Sequence, residues 1–352
     1  MLRDILIMQK KELEQKLGDR YVARSVKKAG GTGDLAAVIL GPRRAGKSFF
    51  GMHLIQSKGS FGYANFDDER LVGLPDYDEL LSALDALYGS PKDLLFDEIQ
   101  NVERWELLVN RLQRQGRRLV VTGSNAHLLS SEYATHLTGR HMPLVLFPFS
   151  FKEYAEAVNL KSPATQQEYR ARLQNYLQQG GYPEPLMKEV DRKNYLSTLL
   201  ESCIYKDIVK RYRIRSVKGI EDLARYLLSN TGSEYSFRTL AELTKCKSAH
   251  TVEKYLRYLE EAYLFFSLKR FSFKVREQAK ANRKIYCIDN GFISAKAFGT
   301  GGGTGRLAEN AVAVRLRLRE LEGECEVYFW KNVQQHEVDF VVVRNRKVGE
   351  LI

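Results

Sequence analysis

One octapeptide constrains this chain more than any other feature: Gly41-Pro42-Arg43-Arg44-Ala45-Gly46-Lys47-Ser48. It fits the pattern G-x-x-x-x-G-K-[ST]. The apolar run AAVIL (Ala36–Leu40) precedes it and the helical pattern SFFGMHLIQ follows. A strand entering a glycine-rich turn that opens into a helix turns backbone N–H groups toward a phosphate, at the positive end of the helix dipole. Gly41, Arg44, Ala45, Gly46, Lys47, Ser48 and Phe49 are therefore the expected phosphate-binding residues of a nucleotide site. Within it Lys47 reaches the β/γ-phosphates and Ser48 ligates Mg²⁺.

The surroundings of this loop read as an α/β layer. DLLFDE (Asp93–Glu98) and RLVVTGS (Arg118–Ser124) are near-continuous apolar runs, as expected of strands buried on both faces of a parallel sheet. Helical patterns around 49–56, 77–87 and 104–115 alternate with them. Asp97 and Glu98 end one of these strands. Asp97 is placed to hold Mg²⁺ through water, and Glu98 to polarise an attacking water. Ser124 and Asn125 end the next strand, where open α/β sheets bind ligands. Two readings stand side by side for them: a γ-phosphate sensor, or an ordinary strand-to-helix cap. Arg140 has two as well, transition-state charge stabilisation in a neighbouring subunit or a structural ion pair.

Charge sets the rest apart. The net charge is +12, and Asp191–Asn290 alone holds 21 basic against 12 acidic residues. A localised basic stretch points to a polyanion partner, nucleic acid first. Inside it, Ser236–Thr244 reads as a short helix, 245–248 as a tight turn and Ala249–Glu261 as a second helix, with Val252, Tyr255, Leu256 and Leu259 on one face. The apolar, β-rich YLFFSLKRFSF follows. This is the pattern of a winged helix-turn-helix, whose second helix enters the major groove of DNA. Lys245, Lys247, Ser248, His250, Thr251 and Lys254 would face DNA from that helix, and Lys269 and Arg270 from the wing. A winged helix that contacts protein instead is the competing reading.

Composition excludes some classes. At 44% hydrophobic and 28% charged residues the chain is neither collagen-like nor wholly disordered. It has no apolar run of about 18 residues, so no membrane partner is expected. The four cysteines form no C-x-x-C pair and the N-terminus has no signal-peptide pattern, which reads as a cytoplasmic protein. Five segments are expected: an N-terminal helix and linker (1–28), a phosphate-loop domain (29–155), a helical lid (156–219), the winged helix (220–283) and a final α/β domain (284–352). The sequence stops at Ile352 within a strand pattern, so the natural polypeptide is expected to continue.

The runs GPRRAGKS, LLFDEIQNVERWE, VVTGSNAHLLSSEYATHLTGR and PLVLFPFSFKEY together resemble the archaeal and bacterial AAA-type ATPases with an uncharacterised C-terminal region. The resemblance extends from about residue 20 to the end. It implies ATP as the nucleotide, with Lys47 and Ser48 in Walker A, Asp97 and Glu98 in Walker B, Ser124 and Asn125 in sensor 1, and Arg140 as the arginine of the LTGR element. It likens Gly181-Tyr182-Pro183 to a turn that packs on adenine through Pro183. It implies self-association, as a hexameric ring by analogy. It also implies a restriction-endonuclease-like last domain, with Glu309, Glu337, Asp339 and Glu350 as the metal-site acids and Ile352 where such a site carries its lysine; cleavage is therefore doubtful. The expected activity is ATP hydrolysis coupled to remodelling or movement on duplex or branched DNA. A nucleotide switch acting on a protein partner and an ATP-gated nuclease are the alternatives.

Overall fold

The apolar runs around the phosphate loop form adjacent strands of one parallel sheet. The structure, a computed structural model, describes residues 2–26, 35–57, 59–74, 76–124, 139–159, 165–244, 246, 248–297 and 303–352. It comprises two units, Met1–Leu146 and Phe147–Ile352. In the first, α1 (Leu2–Leu17) leads to β1 (Ala36–Leu40), α2 (Lys47–Gln56), β2 (Phe61–Asn65), α3 (Tyr77–Tyr88), β3 (Asp93–Asp97), α4 (Trp105–Arg114), β4 (Arg118–Gly123) and β5 (His141–Val145). The strand order is β2-β3-β4-β1-β5, with every pairing parallel.

That order matters for the site. β4 lies between the strand that feeds the phosphate loop and the strand that ends in two acids. Leu40 is level with Gly123, and Phe96 with Val121. Parallel strands in this register bring their carboxyl ends to one edge. β1 and β3 are buried at every position, the signature of a sheet covered on both faces. Ile39, Phe50, Met52, Leu95 and Val120 share one core cluster. Gly51 keeps α2 close to the sheet, since a Cβ there would stand 3.1 Å from Leu95 Cδ1.

The second unit begins with α5 (Phe151–Ala157), α6 (Gln166–Gln179), α7 (Glu184–Met187) and α8 (Arg192–Ser202), which runs on into a π-helical segment Cys203–Lys210. Reciprocal capping boxes start α5 (Ser150 with Glu153) and α6 (Thr165 with Glu168), satisfying N–H groups that a helix leaves open at its first turn. There follow α9 (Val217–Ser229), β6 (Glu234–Tyr235), α10 (Phe237–Thr244), α11 (Ala249–Glu261), β7 (Phe265–Arg270), α12 (Val275–Lys280) and β8 (Arg283–Cys287). Then come α13 (Asn290–Lys296), α14 (Thr304–Leu321), β9 (Glu326–Lys331), β10 (Glu337–Arg344) and β11 (Lys347–Leu351). One six-stranded sheet joins them in the order β11-β10-β9-β7-β8-β6. The β7–β9 pairing is parallel and the others antiparallel. The boundary expected at 283/284 therefore falls inside β8, a strand hydrogen-bonded to both β7 and β6. Among the described residues no helix is long and apolar enough to cross a membrane.

Candidate active site

The carboxyl edge of the parallel sheet assembles the site. β1 ends at Leu40, and the chain turns at Gly41 with φ +150°, where a Cβ would meet the Leu146 carbonyl at 1.9 Å. The loop passes through left-handed backbone at Arg44 and Gly46 before α2 begins at Lys47. Lys47 is buried, and its ammonium donates to the Pro42 carbonyl at 2.9 Å, folding back over its own loop. Ala45 is also buried, and its carbonyl accepts from Arg24 at 2.8 Å.

The Ser48 hydroxyl donates to Asp97 Oδ1 at 2.9 Å. This contact links the phosphate loop to the acidic end of β3. Asp97 also accepts from the hydroxyls of Thr122 on β4 and, at 3.4 Å, of Tyr63 on β2. β3 stops there, and the backbone enters the left-handed region at Glu98 (φ +52°). The Glu98 amide donates back to Thr122 Oγ1 at 3.0 Å. Thr122 thus holds both acids at once. The Glu98 carboxylate accepts from the Gln100 side-chain amide, which also reaches Ser124 Oγ at 3.5 Å.

The two acids differ in their protonation. Burial pushes the Asp97 carboxyl above its ordinary value, and the neighbouring Glu98 charge adds to this. Burial also pushes Glu98 upward, but the Lys47 ammonium, the Gln100 amide and Arg43 outweigh it and hold Glu98 below the usual carboxylate range. Glu98 is therefore the acid pushed toward its carboxylate form, the state a proton acceptor requires. A divalent cation beside Asp97 would reverse the direction of its shift. One carboxylate and one hydroxyl, both hard oxygen donors and already in contact, suit Mg²⁺, which binds through few protein ligands and shares the rest of its shell with phosphate and water.

Ser124 is buried at the end of β4, beside Gln100, as its place after the strand implies. Asn125 lies outside the described residues. Arg140 is at the other edge. His141 pairs with Ala36 at the start of β1, and the Arg140 carbonyl accepts from the Ala36 amide at 3.0 Å. Parallel strand direction puts it at the amino ends of the strands, so it does not join the phosphate site of its own chain. Thr122 and Gln100 were not singled out by sequence. The signal for Thr122 was a single polar residue closing the apolar run RLVV; nothing in the sequence marked Gln100.

In the second unit, the Gly180–Pro183 turn is fixed from below. The Gly181 amide donates to Asp289 Oδ2 at 2.7 Å and its carbonyl accepts from Phe149 N at 2.7 Å, while Pro183 starts α7. On α11 the expected face is buried: Val252, Tyr255, Leu256 and Leu259 are all in the core. His250, Lys254 and Lys269 are exposed, and Arg270 is half-buried with its guanidinium on the Lys331 carbonyl. Ser248 is the α11 N-cap, accepting from the Thr251 amide at 3.2 Å, so both residues already serve the helix start. Lys245 and Lys247 lie outside the described residues.

The four acids expected of a nuclease site separate. Glu309, Glu337 and Asp339 converge, but on an ammonium: Lys284 Nζ is 3.2 Å from Glu309, 2.8 Å from Asp339 and in direct contact with Glu337. Glu350 does not join them. It pairs with Arg344 and lies 3.9 Å from Arg319. Glu350 sits opposite Val342, whose side chain belongs to the core cluster, whereas on β10 Glu337 precedes a bulge in the β9–β10 pairing and Asp339 lies within it. The described residues hold no group of three or more His, Cys, Asp and Glu side chains arranged to take a metal ion.

A phosphate loop, an acid pair on the strand two places away and a polar strand between them define a P-loop α/β domain of the AAA type. Residues 34–155 match the AAA domain family, and residues 170–300 match a domain of unknown function, DUF8612. The chain is 34% identical over 325 residues to the uncharacterized protein MJ1544 of Methanocaldococcus jannaschii, covering 88% of this chain and 72% of that protein. It is 30% identical over 336 residues to an uncharacterized protein of Haemophilus influenzae, covering 91% of this chain and 81% of that one. The Walker-type ATPase PABY2304 of Pyrococcus abyssi aligns with 85% of this chain and 95% of its own at 15% identity, with a TM-score of 0.47. The chain belongs to the same family as the Methanocaldococcus jannaschii protein.

Proposed function

We propose that this protein is a Mg²⁺-dependent ATPase whose hydrolysis drives remodelling of, or movement on, DNA. The observation that carries the ATPase part is the Ser48–Asp97–Thr122–Glu98 chain of hydrogen bonds. It joins the phosphate loop to Glu98, the acid held below the usual carboxylate range. In this reading the backbone amides of 41–48 and the Lys47 ammonium bind the phosphates. Ser48 and Asp97 hold Mg²⁺, which neutralises charge on the β- and γ-phosphate oxygens when bound. Glu98 takes the proton of the attacking water, with Thr122 and Gln100 fixing its backbone and carboxylate. Ser124, and Asn125 beside it, orient that water or the γ-phosphate. Lys47 must then leave the Pro42 carbonyl for phosphate, a stronger acceptor. Arg140, at the far edge, serves only through assembly, completing a neighbour's site in a ring.

The DNA part rests on charge and on element order. Helix α9, short strand β6, helices α10 and α11, and the β7–β8 hairpin follow the order of a winged helix-turn-helix. Lys254 and His250 on the exposed side of α11 supply phosphate contacts, and Lys269 supplies one from the hairpin. The nuclease reading loses ground because Lys284 occupies the centre of the acids.

Steady-state ATP turnover with and without duplex DNA tests the proposal, with Lys47→Ala as blank and Glu98→Gln beside it. Loss of a general base costs roughly 10²–10⁴-fold, so Glu98→Gln should fall near the blank while still binding ATP. Turnover in the wild type should rise with DNA. Turnover by Glu98→Gln at the wild-type rate would overturn the assignment of the base. Turnover that ignores DNA would leave an ATPase with a protein partner.

A further inference from the structure

The segment joining β7 to β8 presents a feature that duplex binding through α11 does not use. Phe273 is 89% exposed, Val275 78% and Trp330, on the neighbouring strand β9, 38%. An isolated exposed apolar residue needs no explanation, but here Phe273 and Trp330 line one cleft together with Phe271. A cavity of about 620 Å³ is bounded by Arg270, Phe271, Phe273, Lys274, Lys280 and Trp330, among others. The rings are ordered against each other. Phe271 meets Tyr328 edge-on at 5.7 Å and Phe273 edge-on at 5.0 Å. Phe273 thus meets Phe271 nearly at right angles, with most of its surface left to solvent.

Charge around the cleft is mostly of one sign. Arg270, Lys274 and Lys280 line it, against a single acid, Glu277. Glu277 holds Lys274 at 2.9 Å, but their side chains are 77% and 59% exposed, and pairs of that kind contribute little. A phosphate can displace it. An apolar peptide would offer nothing to the cations of the lining, and a base pair inside a duplex offers no free face to an aromatic ring. Aromatic faces interleaved with cations are the recognition chemistry of unpaired nucleotides.

We propose that this cleft binds single-stranded nucleic acid, stacking unpaired bases on Phe273 and Trp330 while Lys274, Lys280 and Arg270 hold the backbone phosphates. It lies on the wing of the duplex reading above and shares Arg270 with it, but it stands or falls separately from α11, none of whose residues lines the cleft. A protein that separates or remodels strands needs such a surface, since duplex contacts alone do not retain an opened strand.

The test uses the full chain and its own fluorescence. The sequence has two tryptophans, and Trp105 is buried at 3% exposure in the first unit. Titration with a dT oligomer of about fifteen nucleotides, within the span of known single-strand sites, should quench Trp330, and Trp330→Phe should abolish the signal. Phe273→Ala, at a site too exposed to affect folding, should weaken dT binding about tenfold. An abasic strand of equal length should bind more weakly and quench little. The proposal is overturned if the abasic strand matches dT, if Phe273→Ala leaves dT affinity unchanged, or if quenching persists in Trp330→Phe. Duplex affinity, followed by anisotropy in parallel with Lys254→Ala, separates the two readings. Duplex binding that depends on Lys254, with no dT response, removes the cleft alone. Phe273-dependent dT binding, with duplex binding indifferent to Lys254, removes α11 alone.

Discussion

Lys284 Nζ lies 2.8 Å from Asp339 Oδ1, joining β8 to β10 across 55 residues of sequence. The same ammonium contacts Glu309 and Glu337, and Tyr286 donates to Glu309 at 2.8 Å. Burial pulls the lysine's pKa down, but the hydrogen bonds it donates to Asp339 and Glu337 and the charge of Glu309 drive it above its ordinary value. The cation is therefore permanent at any physiological pH. Three acids that a nuclease-like fold would give to a metal here converge on one ammonium of the chain itself.

Replacing that cation should expose the acids' mutual repulsion. Lys284→Met leaves three carboxylates around an apolar chain, and breaking a buried charge cluster costs ~2–3 kcal/mol when one partner is half exposed, as Asp339 is. The loss should shrink as salt rises, because salt screens the repulsion among the partly exposed carboxylates. Urea unfolding at low and high ionic strength, with the wild type beside it, checks this. A loss of equal size at each would mean that only packing was removed.

Thr122 should affect rate more than binding. Its hydroxyl contacts Asp97 and accepts from the Glu98 amide, and it is fully buried. Thr122→Val keeps the shape and removes both bonds, worth ~1–2 kcal/mol together once solvation is counted. The expected outcome is kcat down about tenfold, with KM for ATP little changed and Thr122→Ser close to wild type. If Thr122→Val turns over normally, the acids are held by the strand ends alone.

How much of this was legible followed from where the information sits. AAVIL and DLLFD became strands at the expected positions because doubly buried strands write their burial as unbroken apolar runs. The phosphate loop was legible because its chemistry is contiguous. FGYAN became β2 without such a signal: it is an edge strand whose glycine would carry a Cβ 2.8 Å from Leu94. β6 spans two residues and exists only through its pairing with β8. The role of Lys284 was hidden because its three partners come from α14 and β10, 25 to 55 residues further on. The resemblance put Glu350 in one site with Asp339, and only strand register separated them.

Asp289 should give the second unit a pH dependence opposite to that of an ordinary salt-bridged carboxylate. It accepts from the Gly181 and Gly291 amides at 2.7 and 2.8 Å, which favours ionisation, yet burial dominates and pushes its pKa up to about 6 from 3.8. Between those values the folded state binds more protons than the unfolded one, so stability falls as pH rises from about 4 to about 6. Asp289→Asn cannot ionise and should remove that slope, at the cost of one acceptor. Unfolding free energies at several pH values across the window decide it. An unchanged slope in the variant would assign the dependence to another group.

Gly41 should be the least replaceable glycine of the phosphate loop's entry, for a packing reason and not only a conformational one. Its φ is +150°, and an added Cβ would lie 1.9 Å from the Leu146 carbonyl, on the residue whose amide bonds Leu40 at 2.7 Å. Gly89, which ends α3 in left-handed backbone at φ +73°, faces open space. Gly89→Ala should cost only the left-handed penalty, ~1–2 kcal/mol. Gly41→Ala must also push the β1 and β5 ends apart, and should therefore lose clearly more stability and weaken ATP binding with it. Urea unfolding of both variants, with nucleotide titration of each, measures the difference. Equal losses in the two would show that the close approach of Gly41 to Leu146 is readily relaxed.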